Sequence, residues 1–332
     1  MYINEHGIRY TKSPSGFYVK NGNALDWSLM HEETRFKAAF HLLMDKIPEK
    51  YFGDIDTYIA HNGQSPIELL SGGLSPEFGG SKTDFEIFIS KIPCDKSEKY
   101  FKTLYVEDIR DKLNFLFNKI MDIKYLLILF YIYFGEIPEK VPKWIRKNDI
   151  FFVTGPEYDL PFTILESIFQ KMHSVLDLCV KMVGCLDFEP TDYCKYYKIK
   201  VDGLLWDQRK KFSKKYDFSP IENYEYIKIL ESLRNEFTHN GSWEACRRVY
   251  VEVDNGKISR HWIYLNDHEN GTPCRYVNRT RFYSKSNEVH INVILPSMVQ
   301  TFMLSLCKFL EGISLCYVAH EKMHIVFSII LL

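Results

Sequence analysis

Arg234-Asn235-Glu236-Phe237-Thr238-His239 closes a run in which Ile221, Tyr224, Ile227, Leu230, Leu233 and Phe237 recur every three or four positions. That period belongs to one buried helical face. The spacing predicts a helix over 219–238, with Pro220 in its first turn and Asn240-Gly241 as its stop. Arg234 and His239 are then fixed by a packed helix yet stand at its open end. Histidine exchanges protons near neutral pH, and arginine is a permanent planar cation that grips phosphate oxygens. Such a pair needs no metal to attack a phosphodiester.

Working outward, Phe162, Leu165, Ile168, Phe169, Met172, Val175, Leu176, Cys179 and Met182 predict a long helix over 159–187, entered from a loop at 151–158. Downstream, 248–254 and 257–265 flank Asp254-Asn255-Gly256, a two-residue hairpin signal. Residues 288–294 read as a third strand, and Pro296 as the opening of a last helix of about 25 residues. The N-terminal 30 residues carry a hairpin signal at Asn21-Gly22. A helix is expected over 31–46, stopped by Pro48, then a Gly-, Ser- and Pro-rich loop, then a strand at 85–90. Helical periodicity resumes near 97, with Ile109, Leu113, Leu116, Phe117 and Ile120 on one face and the apolar run 125–134 continuing it. Gly135, Pro138 and Pro142 then break the chain. These breaks divide it into 1–145, a mostly helical region of unassigned role, and 146–332, with a β-rich insertion at 246–294.

The 332 residues are enough for one large or two ordinary domains, and 46% hydrophobic content supports a sizeable core. Net charge is −1, so a polyanion would have to be met by a local surface, not by the field of the whole molecule. Eight cysteines show no CxxC pair, and the first residues lack the basic and apolar regions of a secretory signal. Reduced thiols, with Cys179, Cys185 and Cys194 in the core, and a cytoplasmic location are expected. The runs 125–134 and 325–332 fall short of the roughly 20 residues a membrane span needs. No membrane association is expected from them.

Several competing motifs fail on spacing. His320-Glu321-Lys322-Met323-His324 matches H-E-x-x-H, but the eight residues after it hold no third ligand. Gly80-Ser81…Asp84…Glu86 has only two residues between GS and the first Asp, too few for a nucleotidyltransferase loop, and reads as a solvated turn before a strand. No phosphate-cradling glycine loop or nucleophile elbow is present. Neither metal nor cofactor is expected.

A basic stretch over 191–216 places Lys195, Lys198, Lys200, Arg209, Lys210, Lys211, Lys214 and Lys215 among Tyr193, Tyr196, Tyr197, Phe212 and Tyr216. Cations for phosphate with aromatics for stacking suit single-stranded RNA; a solvated connector between helices is the equal alternative. Arg247 and Arg248 add positive charge just beyond His239.

The segment 224–241 resembles the R-x4-6-H signature of the HEPN superfamily, in which a polar residue, often Asn, follows the Arg. The resemblance extends more loosely from about 158 to the C-terminus and does not reach the first 150 residues. A second pair at similar spacing, Arg35 and His41, lacks the adjacent Asn and the helix-end setting. The resemblance implies a mainly α fold: a helical bundle with a small antiparallel insertion, preceded by a helical and loop-rich region. It further implies an endoribonuclease that uses no metal. His239 would serve as general acid/base on a ribose 2′-OH, Arg234 would stabilise charge on the phosphorane, and Asn235 would orient the Arg or a phosphate oxygen. Products would be a 2′,3′-cyclic phosphate and a 5′-OH. The implied partners are RNA, a second copy across a two-fold axis, and an antitoxin or sensor protein, as in toxins and antiphage effectors. The alternative is a non-catalytic RNA-binding or dimerisation module. In its plainest form Arg234 pairs with Glu231 or Glu236 and His239 caps the helix C-terminus.

Overall fold

The computed structural model describes the backbone of residues 2–3, 9–12, 18–20, 23–24, 28–63, 81–145, 147–239, 241–242, 244, 246–270, 272–274 and 288–330, and the side chains of 32–63, 81–93, 97–145, 147–239, 241–242, 244, 246–270, 273–274 and 288–315. The described residues are mainly helical, with a small three-stranded antiparallel sheet. In chain order the described elements are β1 (Tyr2–Ile3), β2 (Arg9–Lys12), β3 (Tyr18–Lys20), β4 (Asn23–Ala24), α1 (Ser28–Phe52), α2 (Ile55–Asn62), α3 (Lys82–Lys91), α4 (Cys94–Gly135), α5 (Ile137–Lys140), β5 (Ile150–Val153), α6 (Pro156–Asp187), α7 (Ser219–Glu222), α8 (Ile227–His239), β6 (Val249–Asp254), β7 (Lys257–Trp262), β8 (His268–Glu269), β9 (Thr272–Pro273) and α9 (Ile291–Ile330).

Two compact units share the chain. One takes Met1–Thr34, Lys119–Val175 and Ser219–Leu306; the other takes Arg35–Asn118, Leu176–Phe218 and Cys307–Leu332. The first unit holds the motif helix α8. Its core collects Leu127, Phe130 and Phe134 from α4, Phe162, Leu165 and Phe169 from α6, Leu230 and Leu233 from α8, and Val299 and Phe302 from α9, all essentially inaccessible to solvent. Each set recurs at helical spacing, so the burial follows from sequence period.

The sheet of this unit has the order β5-β6-β7, all antiparallel. Val249, Val251 and Val253 alternate inward along β6. The β6–β7 turn is the expected one: Asn255 and Gly256 both take positive φ, 50° and 71°, as a two-residue turn between twisted strands requires. Strand β5 takes the first part of the loop expected at 151–158, and α6 begins at Pro156, three residues before the expected helix. No strand forms at 288–294: His290 makes one isolated bridge to Tyr264, and α9 begins at Ile291. Pro296 therefore lies inside α9 instead of opening it. Lacking an N–H, it leaves the carbonyl of Asn292 without its helical donor, and the Tyr131 hydroxyl donates to that carbonyl at 2.6 Å. The expected helix over 219–238 is also split. Tyr224 breaks it between α7 and α8, held by a 2.9 Å hydrogen bond from its hydroxyl to the Met298 carbonyl and an edge-on contact with Phe302. The N-terminal strands form a separate sheet in which Val19 pairs with Ala24 and Lys20 with Asn23; the turn residues Asn21 and Gly22 lie outside the described residues.

The second unit packs Phe36, Leu43 and Ile47 of α1, Tyr105, Ile109, Leu113 and Leu116 of α4, and Leu176 and Cys179 of α6 into its core. Pro48 does not stop α1; burial of Ile47 and Tyr51 on the same face carries the helix on to Phe52. The strand expected at 85–90 is instead α3. Ser81 and Asp84 form a reciprocal capping box, with the Asp84 amide donating to Ser81 Oγ and the Ser81 amide to Asp84 Oδ2. The turn read as solvated is thus a helix cap. Of the three thiols expected in the core, Cys179 and Cys185 are buried but Cys194 is exposed. Among the described residues one stretch, Ile291–Leu315, is long and apolar enough to cross a membrane, with half of its most apolar window buried inside the protein.

Candidate active site

Helix α8 buries Leu230, Leu233, Glu236 and Phe237, and the Phe237 ring lies 6.2 Å from that of Phe169 on α6. Arg234 is half-buried, while Asn235, Thr238 and His239 are exposed. Arg234 Nη1 donates to Asn235 Oδ1 at 3.1 Å. Among the described residues Arg234 forms no ion pair, so neither Glu231 nor Glu236 takes its charge there. The contrasting pair behaves differently. Arg35 is clamped on Glu311 by two hydrogen bonds of 2.8 and 2.7 Å, which leaves its guanidinium committed to the fold.

Beyond His239 the chain turns at Gly241, whose φ of 88° favours glycine. It is then tied to α6. Ser242 Oγ donates to Glu166 Oε1 at 2.8 Å, and Arg247 Nη2 reaches both Glu166 oxygens at 3.0 and 3.1 Å. Arg248 lies over the Phe152 ring, 5.0 Å from its centroid. Between these two arginines and the helix end sits Glu244, whose carboxyl is pushed up to about 7 by burial against the partial counter-effect of Arg248. Beneath α8, the buried Glu236 carboxylate acts electrostatically on His268, whose imidazole is nonetheless held below its usual pKa by burial. His268 Nδ1 donates to the Asn266 carbonyl at 2.6 Å, and its Nε2 is buried with no hydrogen-bond partner among the described residues.

The lysines of 191–216 belong to the other unit. Lys210, Lys211, Lys214 and Lys215 are exposed, and Lys215 pairs with Asp187 at 3.1 Å. Of the interleaved aromatics Tyr216 is buried, Tyr196 donates to Asp108 while packing 5.0 Å from Tyr105, and Tyr193, Tyr197 and Phe212 are half-buried. Among the described residues no three His, Cys, Asp or Glu side chains converge as a metal site. The side chains of His320, Glu321 and His324 lie outside the described residues.

Glu166, Ser242 and Glu244 join the site without belonging to any motif of the sequence. Glu166 carries a usable signal, being a carboxylate within the apolar series of α6; Ser242 and Glu244 carry none. No family model, curated protein or solved structure matches the chain.

Proposed function

We propose that the chain is a metal-independent endoribonuclease of the HEPN type, with Arg234, Asn235 and His239 as its catalytic set. One observation carries the reading: an arginine without a carboxylate partner among the described residues, bonded to the adjacent Asn, with an exposed His five residues on at the end of a helix whose apolar face is buried. His239 accepts the ribose 2′-OH proton as the 2′-oxygen attacks phosphorus. Arg234 neutralises the charge gathering on the non-bridging oxygens. The bond from phosphorus to the 5′-oxygen breaks, and that oxygen takes a proton, leaving a 2′,3′-cyclic phosphate and a 5′-OH.

The test is cleavage of end-labelled RNA in excess EDTA by the wild type and by His239→Ala. Loss of the proton-transfer group should cost about 100- to 10,000-fold in rate, and the matching DNA should stay intact. A folded His239→Ala chain that cuts as fast as the wild type removes the assignment.

A second reading, an RNA-binding or dimerisation module without catalysis, draws on helix geometry. Residues five apart stand about 140° apart around an α-helix, so one helix alone does not aim Arg234 and His239 at one phosphate. Two copies sharing a cleft would reconcile the pair with catalysis. RNA binding without cleavage favours the module.

A further inference from the structure

We infer that the outward face of the β5–β6–β7 sheet is a stacking surface for unpaired RNA bases; this rests on the reading of RNA as the ligand. The strand alternation that buries Val249, Val251 and Val253 turns the even-numbered residues the other way. Register then aligns Phe152 with Tyr250 and Tyr250 with Trp262 across the three strands. The ring centroids of Phe152 and Tyr250 are 6.1 Å apart and those of Tyr250 and Trp262 6.0 Å, the latter pair stacked at 17°. A guanidinium closes each end of the row: Arg248 lies 5.0 Å over Phe152 and Arg260 4.8 Å over Trp262.

Exposure shows which groups a ligand would meet. Trp262 is only 2% exposed, so it is the floor of the row, whereas Phe152 is 51% exposed and the Arg260 side chain 49%. A flat cation resting on a ring presents its other face outward, where a base can stack on it. Arg260 gives one nitrogen to Glu252, 3.2 Å away, and forms no other ion pair among the described residues. Glu252 thus meets Arg260, and the carboxyl of Glu244 acts on Arg248. A row of rings with a guanidinium plane at each end suits a polyanion that carries its own aromatic faces; a peptide would be met better by aliphatic surface. The sheet lies in the same unit as Arg234 and His239.

The probe is a dye-labelled 2′-O-methyl oligouridine, which is unstructured and lacks the attacking hydroxyl, titrated by fluorescence anisotropy against the full chain. Phe152→Ala and Arg260→Ala should each weaken binding about ten-fold, the scale of one lost base stack, and Phe152→Trp should keep it. Phe115→Ala is the matched control. That ring is also 51% exposed, carries Lys112 at 5.9 Å and belongs to the other unit, and its loss should leave binding unchanged. Undiminished binding by both sheet variants overturns the inference, as does an equal loss in Phe115→Ala. A dimer that dissociates in Phe152→Ala while the oligouridine stays bound assigns the face to a second copy instead. A wild-type chain that cuts RNA but does not bind oligouridine removes the stacking surface alone; one that neither binds nor cuts RNA removes the nuclease reading with it.

Discussion

Arg247 grips both carboxylate oxygens of Glu166, at 3.0 and 3.1 Å, and so fastens the segment that follows His239 to the middle of the unit's long helix. The same carboxylate accepts from Ser242 at 2.8 Å. Glu166→Ala leaves two donors without their acceptor. Removing one partner of a partly buried hydrogen-bonded group costs about 1–3 kcal/mol, tempered here by partial exposure of the pair. A lowered urea midpoint with an unchanged slope is the expected result.

Because that guanidinium is engaged, Arg247→Ala should behave as a stability variant. Its RNA binding should keep the wild-type dependence on salt. Lys211→Ala and Lys214→Ala remove exposed cations. If they touch phosphate, each should lower the slope of log affinity against log salt by about 0.7, the value for a single-strand contact. Titrations between low and moderate salt separate the two classes.

How far the sequence disclosed this arrangement depended on the range of each interaction. The helices α4 and α6 and the turn at Asn255-Gly256 were readable because their patterns are local. Strand β5 was not: it has four residues, and its partner β6 lies about a hundred positions along the chain. The segment at 85–90 misled because Phe85, Ile87 and Ile89 alternate like a strand, while the Ser81–Asp84 capping box just before them was the truer signal. Helix α8 was visible by its period, but the break at Tyr224 depends on the Met298 carbonyl, a tertiary contact. At the candidate site, Arg234 and His239 stood out by spacing. Arg247 was visible only as a candidate RNA-binding cation; its pairing with Glu166 was not, since 81 positions separate them and neither residue type foretells the other.

His261 should make the fold acid-sensitive. Its Nε2 donates to the Phe134 carbonyl at 3.0 Å, and burial pushes the imidazole down to about 4. A folded-state pKa below the unfolded value of 6.5 means that the unfolded chain binds more protons between those limits. Stability from this group is complete above about 6.5 and is lost as pH falls toward 4, roughly 1.4 kcal/mol per pH unit and about 3 kcal/mol in all. His261→Gln keeps a donor and does not titrate. The stability difference between wild type and variant should therefore shift by that amount between pH 7 and 4, and a pH-independent difference counts against it.

Tyr131→Phe removes the hydroxyl that serves the Asn292 carbonyl opposite Pro296. The ring stays and one buried acceptor loses its donor, so a loss of about 1–3 kcal/mol is expected. Restoring a helical donor by Pro296→Ala in the Tyr131→Phe background should recover part of it. A double-mutant cycle measures the coupling, and strict additivity would show that the two residues act independently.

The pairing of Arg234 with His239 across two chains has its own test. Neither Arg234→Ala nor His239→Ala should cut RNA alone. If the Arg of one chain serves with the His of the other, a heterodimer of the two variants contains one intact pair and one doubly defective pair. Mixing them after mild dissociation should restore roughly a quarter of wild-type activity: random exchange makes half of the dimers mixed, and each mixed dimer carries one of two sites. An in-chain pair gives no recovery on mixing. A protein that stays monomeric at micromolar concentration and still cuts RNA defeats the shared cleft outright, because an α-helix holds residues five apart about 140° from one another and one chain would then have to bring both to the phosphate by bending the end of α8.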